Sequence, residues 1–472
     1  MSEQYPLDER DAHGSLFEES TQKTEDIPSR ESEIALPKLV LASQQATFAK
    51  KRYGRYVLAT QTKLKNSLLA GVGLFELANA GDFAANVWNR TPVPVYAIVL
   101  MAFGGTLAVS LSCFAIKDVR LSWHNLRLLR AERHRLRRER ALRVQEGQIV
   151  LDLDTRLDVT FRELGTEMIS RFCMNILLGA GAVLVGIGTL LAIGGDNRTV
   201  WETSNILSGY LGNFPLTFYT LINGGWCLYI FAMAHKHKAA ATKALNGSEA
   251  TIQLTRHAGN VQKFAAANGI TGLIGGFGSM VAVTRWWGYV VLIPVIISSI
   301  CCNYFWRHRI GYDHSFVEDS LDMGETSLVS EMETIASMQH TLSETFSPSL
   351  EKLGLDPQSL ASVLDFIVSN DLFEELCTRL LKDTSVSSAL FNTSTSDKTL
   401  TIDSQTLLLA NKTHTPRVLA IAHTCITKDA PQHFRYQERY LSETLGSFLR
   451  ISHINASQQN QNQSQNQNRK RG

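Results

Sequence analysis

Long apolar runs without a single charged residue constrain this chain more than any other feature. Five such runs occur among its 472 residues, at 95–116, 172–195, 214–234, 264–283 and 286–305. An α-helix rises about 1.5 Å per residue, so about 20 residues cover the roughly 30 Å of hydrocarbon in a bilayer. We therefore expect an all-α polytopic membrane protein.

A sixth run, at 68–88, is a marginal candidate because it contains Glu76 and Asp82. Each charge in hydrocarbon costs about 2.5 kcal/mol or more unless it finds a partner or water. Hydropathy alone therefore does not decide between five and six spans.

The distribution of basic residues favours six spans. Ten Lys and Arg residues lie in 117–143, five lie in 235–263, and a further cluster lies in 50–65, whereas the short loops between the other runs hold one Arg each. Loops rich in Lys and Arg stay on the cytoplasmic side. Only with six spans do all three basic regions fall on that side. The sequence thus predicts three helical hairpins with both termini in the cytoplasm.

The predicted organisation is an alternation of hairpins and polar regions. It consists of a disordered acidic tail (1–49), a basic flank with hairpin 1 (50–116), a basic helical loop (117–171), hairpin 2 (172–234), a loop (235–263), hairpin 3 (264–305), a cytoplasmic domain (307–453) and a disordered Asn/Gln-rich tail (454–472). In 117–143 the apolar residues recur at helical spacing, which predicts that the second span continues as a basic helix.

The region 307–453 lacks a spanning run and is predicted to form a small α+β or mainly helical domain. The expected elements are a helix at 326–345, a helix start at Asp356 and Pro357, a helix capped by Asp371 and running through Leu381, short strands at 399–402, 407–409 and 418–425, and a helix at 436–451.

Glu76 is the candidate functional residue of the membrane region. An ionisable group inside an apolar segment is by default a hypothesis of proton or cation handling. The alternative is a segment that is poorly inserted, tilted or re-entrant. Asp82 lies nearer the outer interface, where we expect it to be solvated.

Gly272 and Gly276 form a GxxxG motif in the fifth run. Small residues let helix backbones approach closely in lipid. Packing within the bundle is one interpretation, and a dimer face or a flexible hinge are the others.

Basic residues in the cytoplasmic loop are candidates for contact with anionic lipid head groups, which attract nearby basic residues by about 1 kcal/mol each. They are Arg133, Arg135, Arg137, Arg138 and Arg140. The expected partners are the bilayer, anionic lipids, and cytoplasmic proteins at the C-terminal domain. A net charge of +2 for the whole chain argues against nucleic-acid binding.

No enzymatic motif is present: the chain has no Walker A sequence, dinucleotide-binding glycine pattern, GxSxG or HExxH, and its seven cysteines show no zinc spacing. We expect neither catalysis nor a cofactor or metal. Two functions stay open, a transporter or sensor of a small solute or ion and a non-catalytic membrane scaffold or adaptor. The acidic and Asn/Gln-rich tails favour a eukaryotic protein, and no motif indicates an organelle.

Overall fold

A computed structural model describes ten stretches of the chain. They are residues 44–51, 56–59, 63–65, 70–88, 92–245, 247–315, 323–343, 350–391, 399–409 and 413–471. The predicted disorder of the acidic tail up to residue 43 lies outside these residues. Residues 45–49, which were assigned to that tail, instead belong to a β-strand.

The marginal apolar run forms an interrupted helix at 70–88, which we call the broken helix. Its parts are a 3-10 turn at Ala70–Leu74, α1 (Phe75–Asn79), a second 3-10 turn at Ala80–Asp82, and α2 (Phe83–Val87). Gly71, Gly73 and Gly81 lie in the two 3-10 turns. A glycine inside a helix costs about 1 kcal/mol relative to alanine, which explains why the helix is interrupted there.

Five helices in the described part of the chain are long and apolar enough to cross a membrane. They are α3 (Val95–Gln145), α4 (Leu151–Gly194), α5 (Arg198–Ala244), α6 (Glu249–Ala282) and α7 (Trp287–Ile310). The chain therefore has the helical architecture of a multi-pass membrane protein, as the sequence predicts. Three of these helices contain a π-helical stretch, at Thr166–Cys173, Asn205–Leu211 and Trp306–Ile310.

The five helices and the broken helix form one bundle, which we call the ring because its contacts return from α7 to α3 through the broken helix. Each helix from α3 to α7 packs against the next one along the chain, and the broken helix packs against both α7 and α3. One core cluster joins four of these elements through Phe75, Ala115, Leu178, Leu216 and Tyr219.

The broken helix runs along the apolar part of α3. Gly71 faces Phe114, where an added Cβ would lie 2.7 Å from the ring. Ten residues later Gly81 faces Gly104, and a Cβ on Gly104 would lie 2.4 Å from the Gly81 carbonyl oxygen. The two backbones therefore touch at a point where only glycine fits.

The α3 helix continues about 44 Å past residue 116, at about 1.5 Å per residue. Residues 117–145 pair with residues 151–165 of α4 in an antiparallel arrangement that we call the polar hairpin. Arg143 bonds to Asp152 at 2.8 Å, and Arg140 bonds to Asp154 at 2.5 Å. The prediction that the second span continues as a basic helix is thus confirmed.

The C-terminal region is mainly helical. Its helices are α8 (Glu325–Ser343), α9 (Leu360–Ser369), α10 (Phe373–Lys382), α11 (Thr384–Leu390), α12 (Ser404–Leu408), α13 (Thr415–Lys428) and α14 (Ala430–Arg471), with a 3-10 turn at Leu350–Leu353. The α8, α10 and α14 helices lie where helices are predicted. Residues 454–471 of the Asn/Gln-rich tail, for which the sequence predicts disorder, continue α14 as a helix.

Two predicted strands are wrong, because 407–409 lies at the end of α12 and 418–425 lies within α13. In α13 the side chains of Val418, Ala422 and Cys425 are fully buried at helical spacing. Short apolar runs with β-branched residues fit either a strand or a buried helix, so the pattern alone does not distinguish them.

Two predicted helix starts are also corrected. The α9 helix begins at Leu360, where Ser359 accepts a hydrogen bond from the Ser362 amide, and not at Asp356 and Pro357. Asp371 does not cap α10. It has a left-handed φ of 53°, and its carboxylate accepts a hydrogen bond from Gln44.

Residues on both sides of the membrane region build the C-terminal domain together. Strands β1 (Gln45–Lys50), β2 (Tyr56–Leu58) and β5 (Thr399–Asp403) form an antiparallel sheet in the order β2-β1-β5, and β3 (Lys63–Lys65) pairs with β4 (Asp313–Ser315). The region 50–65 was expected to be a basic flank of the first span. Its described strands are instead part of this domain, because residues 63–65 pair with β4, and residues 56–58 pair with β1, which in turn pairs with β5.

Candidate functional site

Asp82 is a buried carboxylic acid in the broken helix, with 1% of its surface exposed. The Tyr289 hydroxyl donates to one carboxylate oxygen at 2.9 Å, and the Asn86 amide donates to the other at 2.8 Å. The same amide group lies 2.6 Å from the Tyr289 oxygen. Among the described residues, no Lys, Arg or His lies within 4.0 Å of this carboxylate. The acid is therefore held by neutral donors alone.

The expectation that Asp82 is solvated is wrong. Aromatic side chains cover this end of the ring, with Phe83 edge-on to Trp88 at 5.2 Å and to Tyr289 at 5.0 Å. Glu76, the residue favoured by the sequence, lies in α1, and its side chain is outside the described residues. The sequence signal for the Asp82 site was the pair of polar residues Asp82 and Asn86 one helical turn apart.

Two small cavities adjoin in the half of the ring nearer the C-terminal domain. Each has a volume of about 60 Å³. Thr166, Ser170, Phe264 and Trp306 line both of them. Thr166, Ser170 and Trp306 belong to π-helical stretches, which are frequent at functional sites in proteins.

Neutral polar groups line these cavities. Ser170 donates a hydrogen bond to Asn223 at 3.1 Å, and the Trp226 indole donates to Thr166 at 3.3 Å. Asn268, from α6, reaches the cavity nearer the broken helix. The walls therefore carry a few polar groups on a mostly apolar lining.

A buried ion-pair network lies beside the cavities. Arg171 forms two hydrogen bonds with Asp118, at 2.7 and 3.0 Å, and lies 3.3 Å from Glu167. Asn125 donates to Glu167 at 3.0 Å. Burial of Arg171 and Asp118 is almost complete, with side chains 2% and 0% exposed. Such a pair needs good geometry to offset desolvation, and the bidentate contact provides it.

The sequence held a signal for this network that we did not use. Asp118 lies two residues after one apolar run, and Arg171 lies one residue before the next run. Adjacent antiparallel helices place these two positions at the same end of the bundle. Opposite charges at equal depth on neighbouring helices predict an ion pair.

Glu443 of α14 lies at the centre of a second polar cluster. Its carboxylate pairs with Arg162 of α4 and lies 3.0 Å from the His257 ring nitrogen of α6. Gly446 packs on His237 of α5, where an added Cβ would lie 2.8 Å from the ring. This one helix thus contacts the polar ends of three membrane helices.

Further contacts extend the attachment of α14. Ser447 donates to Asp158 at 2.8 Å, and Arg450 pairs with Asp158 at 2.7 Å. Arg439 donates to the carbonyl oxygens of Gly311, at 2.5 Å, and of His308. Because Glu443 also lines one of the two cavities, α14 forms part of the wall at that end of the ring.

Burial raises the pKa of the Glu443 carboxyl, but the Arg162 charge and the His257 hydrogen bond outweigh it, so the pKa lies well below its usual range. His314 of β4 lies 3.0 Å from Glu163. Burial lowers the pKa of His314, but the Glu163 charge outweighs burial, and the net pKa is raised. Tyr312 donates to Glu163 at 2.9 Å, and burial together with that charge raises the pKa of Tyr312.

The arginines predicted to contact lipid lie on the polar hairpin. Arg133 donates to the Leu157 carbonyl at 2.6 Å, Arg135 pairs with Glu132 at 2.9 Å, and Arg140 pairs with Asp154. Arg137 and Arg138 are exposed, without an acidic partner within 4.0 Å among the described residues. These two positions lie about 32 Å past residue 116 along the helix axis.

The GxxxG glycines face α5 within the ring. A Cβ on Gly276 would lie 2.4 Å from the Thr220 hydroxyl, and a Cβ on Gly272 would lie 3.7 Å from the same side chain. The close approach is therefore at Gly276, and Gly272 makes ordinary contacts.

Comparison of the chain with protein families, with curated proteins and with solved structures finds no match. Among the described residues, no group of three or more His, Cys, Asp or Glu side chains is placed to hold a metal ion.

Proposed function

We propose that the broken helix is a sixth span and that the ring is one membrane domain with both termini in the cytoplasm. The proposal is supported by the distance over which the broken helix contacts its neighbours. It meets α3 from Phe114 to Gly104, and it meets α7 from Asn303, which faces Gly73, to Tyr289, which bonds Asn86. A segment that follows two spanning helices over this length lies in the same slab of lipid.

Labelling of single engineered cysteines in intact and opened vesicles tests this topology. We expect positions 92 and 198 to react from the outside, and positions 148 and 250 to react only after opening. With five spans, position 148 and the start of the chain would lie on opposite sides. A tag placed before residue 44 distinguishes the two topologies.

We propose that the protein moves or senses a small solute or ion through this ring, and that Asp82 takes up and releases a proton in the process. The observation that carries the proposal is a fully buried carboxyl group that is surrounded by neutral donors in a membrane bundle. Intramembrane acids of this kind are costly and mark proton or ion pathways. Glu76 stays a second candidate on the same helix.

Proton flux in proteoliposomes tests the role of Asp82. A trapped pH-sensitive dye reports acidification after a potential is imposed. We expect D82N to lose the flux, and D196N to keep it, since Asp196 is an exposed acid in a short loop. E76Q measured alongside shows whether Glu76 contributes. Equal flux from folded wild type and D82N would overturn the proposal.

The length of the polar hairpin favours a second candidate function, a scaffold that recruits anionic surfaces. Arg137 and Arg138 stand about 32 Å from the apolar run, too far to reach their own bilayer if α3 is straight along the membrane normal. They are free to meet a partner or an opposed membrane. Capture of phosphatidylserine vesicles by proteoliposomes should then fall in R137E/R138E and persist in R198E, a change at an exposed arginine outside the hairpin.

A further inference from the structure

We propose that the two adjoining cavities are the binding site for an uncharged, hydrogen-bonding solute of about four to six non-hydrogen atoms, such as a small amide or polyol. This inference deepens the proposed function, on which it rests, by naming the class of substrate. Its size limit comes from volume. A water molecule needs about 10–15 Å³ of such space, so 60 Å³ holds about four to six atoms of that size.

The charged groups of the walls are held by other protein groups, which favours a neutral ligand over an ionic one. The charged residues that line the two cavities are Arg162, Glu163, Glu167, Arg171 and Glu443. Each is already engaged by protein groups: Arg162 meets Glu443, and Arg171 is shared by Glu167 and Asp118. Asn125 also donates to Glu167. Glu163 lies beside His314, whose positive form that carboxylate favours. A charged solute would find no free countercharge, and desolvation of an unpaired ion is costly.

Neutral hydrogen-bonding groups remain for a ligand. The Asn268 amide N–H donates a hydrogen bond to the Cys227 sulfur at 3.5 Å. The carbonyl oxygen of this amide and the Ser299 hydroxyl have no hydrogen-bond partner within the described stretches. Amide and hydroxyl groups in a pocket recognise donors and acceptors on neutral solutes.

Aromatic rings form the rest of the wall. Phe264 and Trp306 line both cavities, with ring centroids 4.8 Å apart, and Trp226 lines one of them. Both rings therefore lie where the two cavities adjoin. Apolar faces beside a few polar groups are the composition of a small-molecule site.

Stopped-flow light scattering of proteoliposomes that contain the full chain tests the inference. The probes are urea, acetamide and glycerol, with sucrose as the excluded reference. We expect faster entry of the three small probes than in protein-free liposomes. N268L removes one hydrogen-bonding group and fills part of the cavity. It should slow the protein-dependent rate of solute entry about tenfold. S299L, from the opposite wall, should do the same, whereas I270L, at an exposed position on α6, should not.

A second readout does not depend on transport. Cys302 lines the cavity nearer the broken helix. Mass spectrometry follows the alkylation of this cysteine by a small maleimide. Acetamide should slow this reaction and sucrose should not. The inference is overturned if neither the entry rates nor the Cys302 reaction respond to the small probes, or if N268L and I270L behave alike. Solute entry that persists without any Asp82-dependent proton flux would overturn the proton proposal alone, and the reverse result would overturn this inference alone.

Discussion

Arg162 and Glu443 form a buried ion pair between residues 281 positions apart in the chain, with side chains 9% and 14% exposed. The pair joins a membrane helix to the last helix of the C-terminal domain. It is a long-range contact that fixes how the domain covers one end of the ring.

Removal of one partner from this pair should loosen the domain. We expect E443Q to destabilise the attachment of α14 by about 3 kcal/mol, because Arg162 would stay buried with only the more distant Asp158, at 3.7 Å, as a countercharge. Limited proteolysis and thermal unfolding of the purified protein measure the change. The swapped double variant R162E/E443R should recover part of it. As a control, D383N breaks the more exposed pair with Arg417, whose side chain is 63% exposed, and should cost about 1 kcal/mol or less. A loss in D383N as large as that in E443Q would contradict this prediction.

Glycine at position 104 should be required for the broken helix to pack. In G104A the new Cβ would lie 2.4 Å from the Gly81 carbonyl oxygen, so the two backbones must separate. Overpacking of this kind costs about 1–3 kcal/mol. G225A is the matched control, because nothing lies within 4 Å of a Cβ there. Thermal unfolding in detergent should separate the two variants, and equal melting temperatures would refute the close contact.

The Tyr289 hydroxyl should stabilise the broken helix through Asp82. Y289F keeps the ring against Phe83 but removes the donor to the carboxylate. We expect a loss of about 1–3 kcal/mol, the cost of leaving a buried polar group without its partner. In D82N the same Tyr289→Phe change should cost less, since the buried group is then neutral, and a double-mutant cycle measures that difference. Additive effects would show that the two side chains do not interact.

The attachment of the C-terminal domain should depend on pH in both directions. The raised pKa of His314 means that its contribution is complete below the ordinary value of 6.5 and is lost as the pH rises through the raised value. The lowered pKa of Glu443 means that its contribution is complete above 4.5 and is lost as the pH falls towards the lowered value. Stability should therefore be greatest between these limits.

Melting temperatures recorded across the pH range measure this profile. In H314Q the fall in melting temperature at high pH should become smaller, with no change at low pH. In E443Q the fall at low pH should become smaller, with no change at high pH. H134Q removes an exposed histidine and should leave both sides unchanged. If the fall in melting temperature at high pH persists in H314Q, a group other than His314 causes it.

The sequence predicted the membrane helices because each one is a local property. Twenty uncharged apolar residues have one stable arrangement in lipid, and no distant residue changes it. The polar hairpin was predicted for the same reason, since its apolar residues repeat at helical spacing within one segment.

The burial of Asp82 could not be predicted from the sequence. Position along the segment placed Asp82 near water, but the side chain is covered by Tyr289, which is 207 residues away. The prediction of short strands at 407–409 and 418–425 is wrong for a related reason. Their apolar residues fit two periods, and the neighbours that select the helix come from other parts of the chain.

The sequence by itself determined that the chain is helical and that five of its segments are long and apolar enough to cross a membrane, because hydrocarbon imposes these features on each segment separately. Only the tertiary structure decided that residues 45–50, 56–58 and 63–65 form two sheets with strands from beyond the last span, that Asp82 is buried, and that Glu443 meets Arg162. These contacts join residues far apart in the chain, and their partners are set by how the helices pack, which no local pattern encodes.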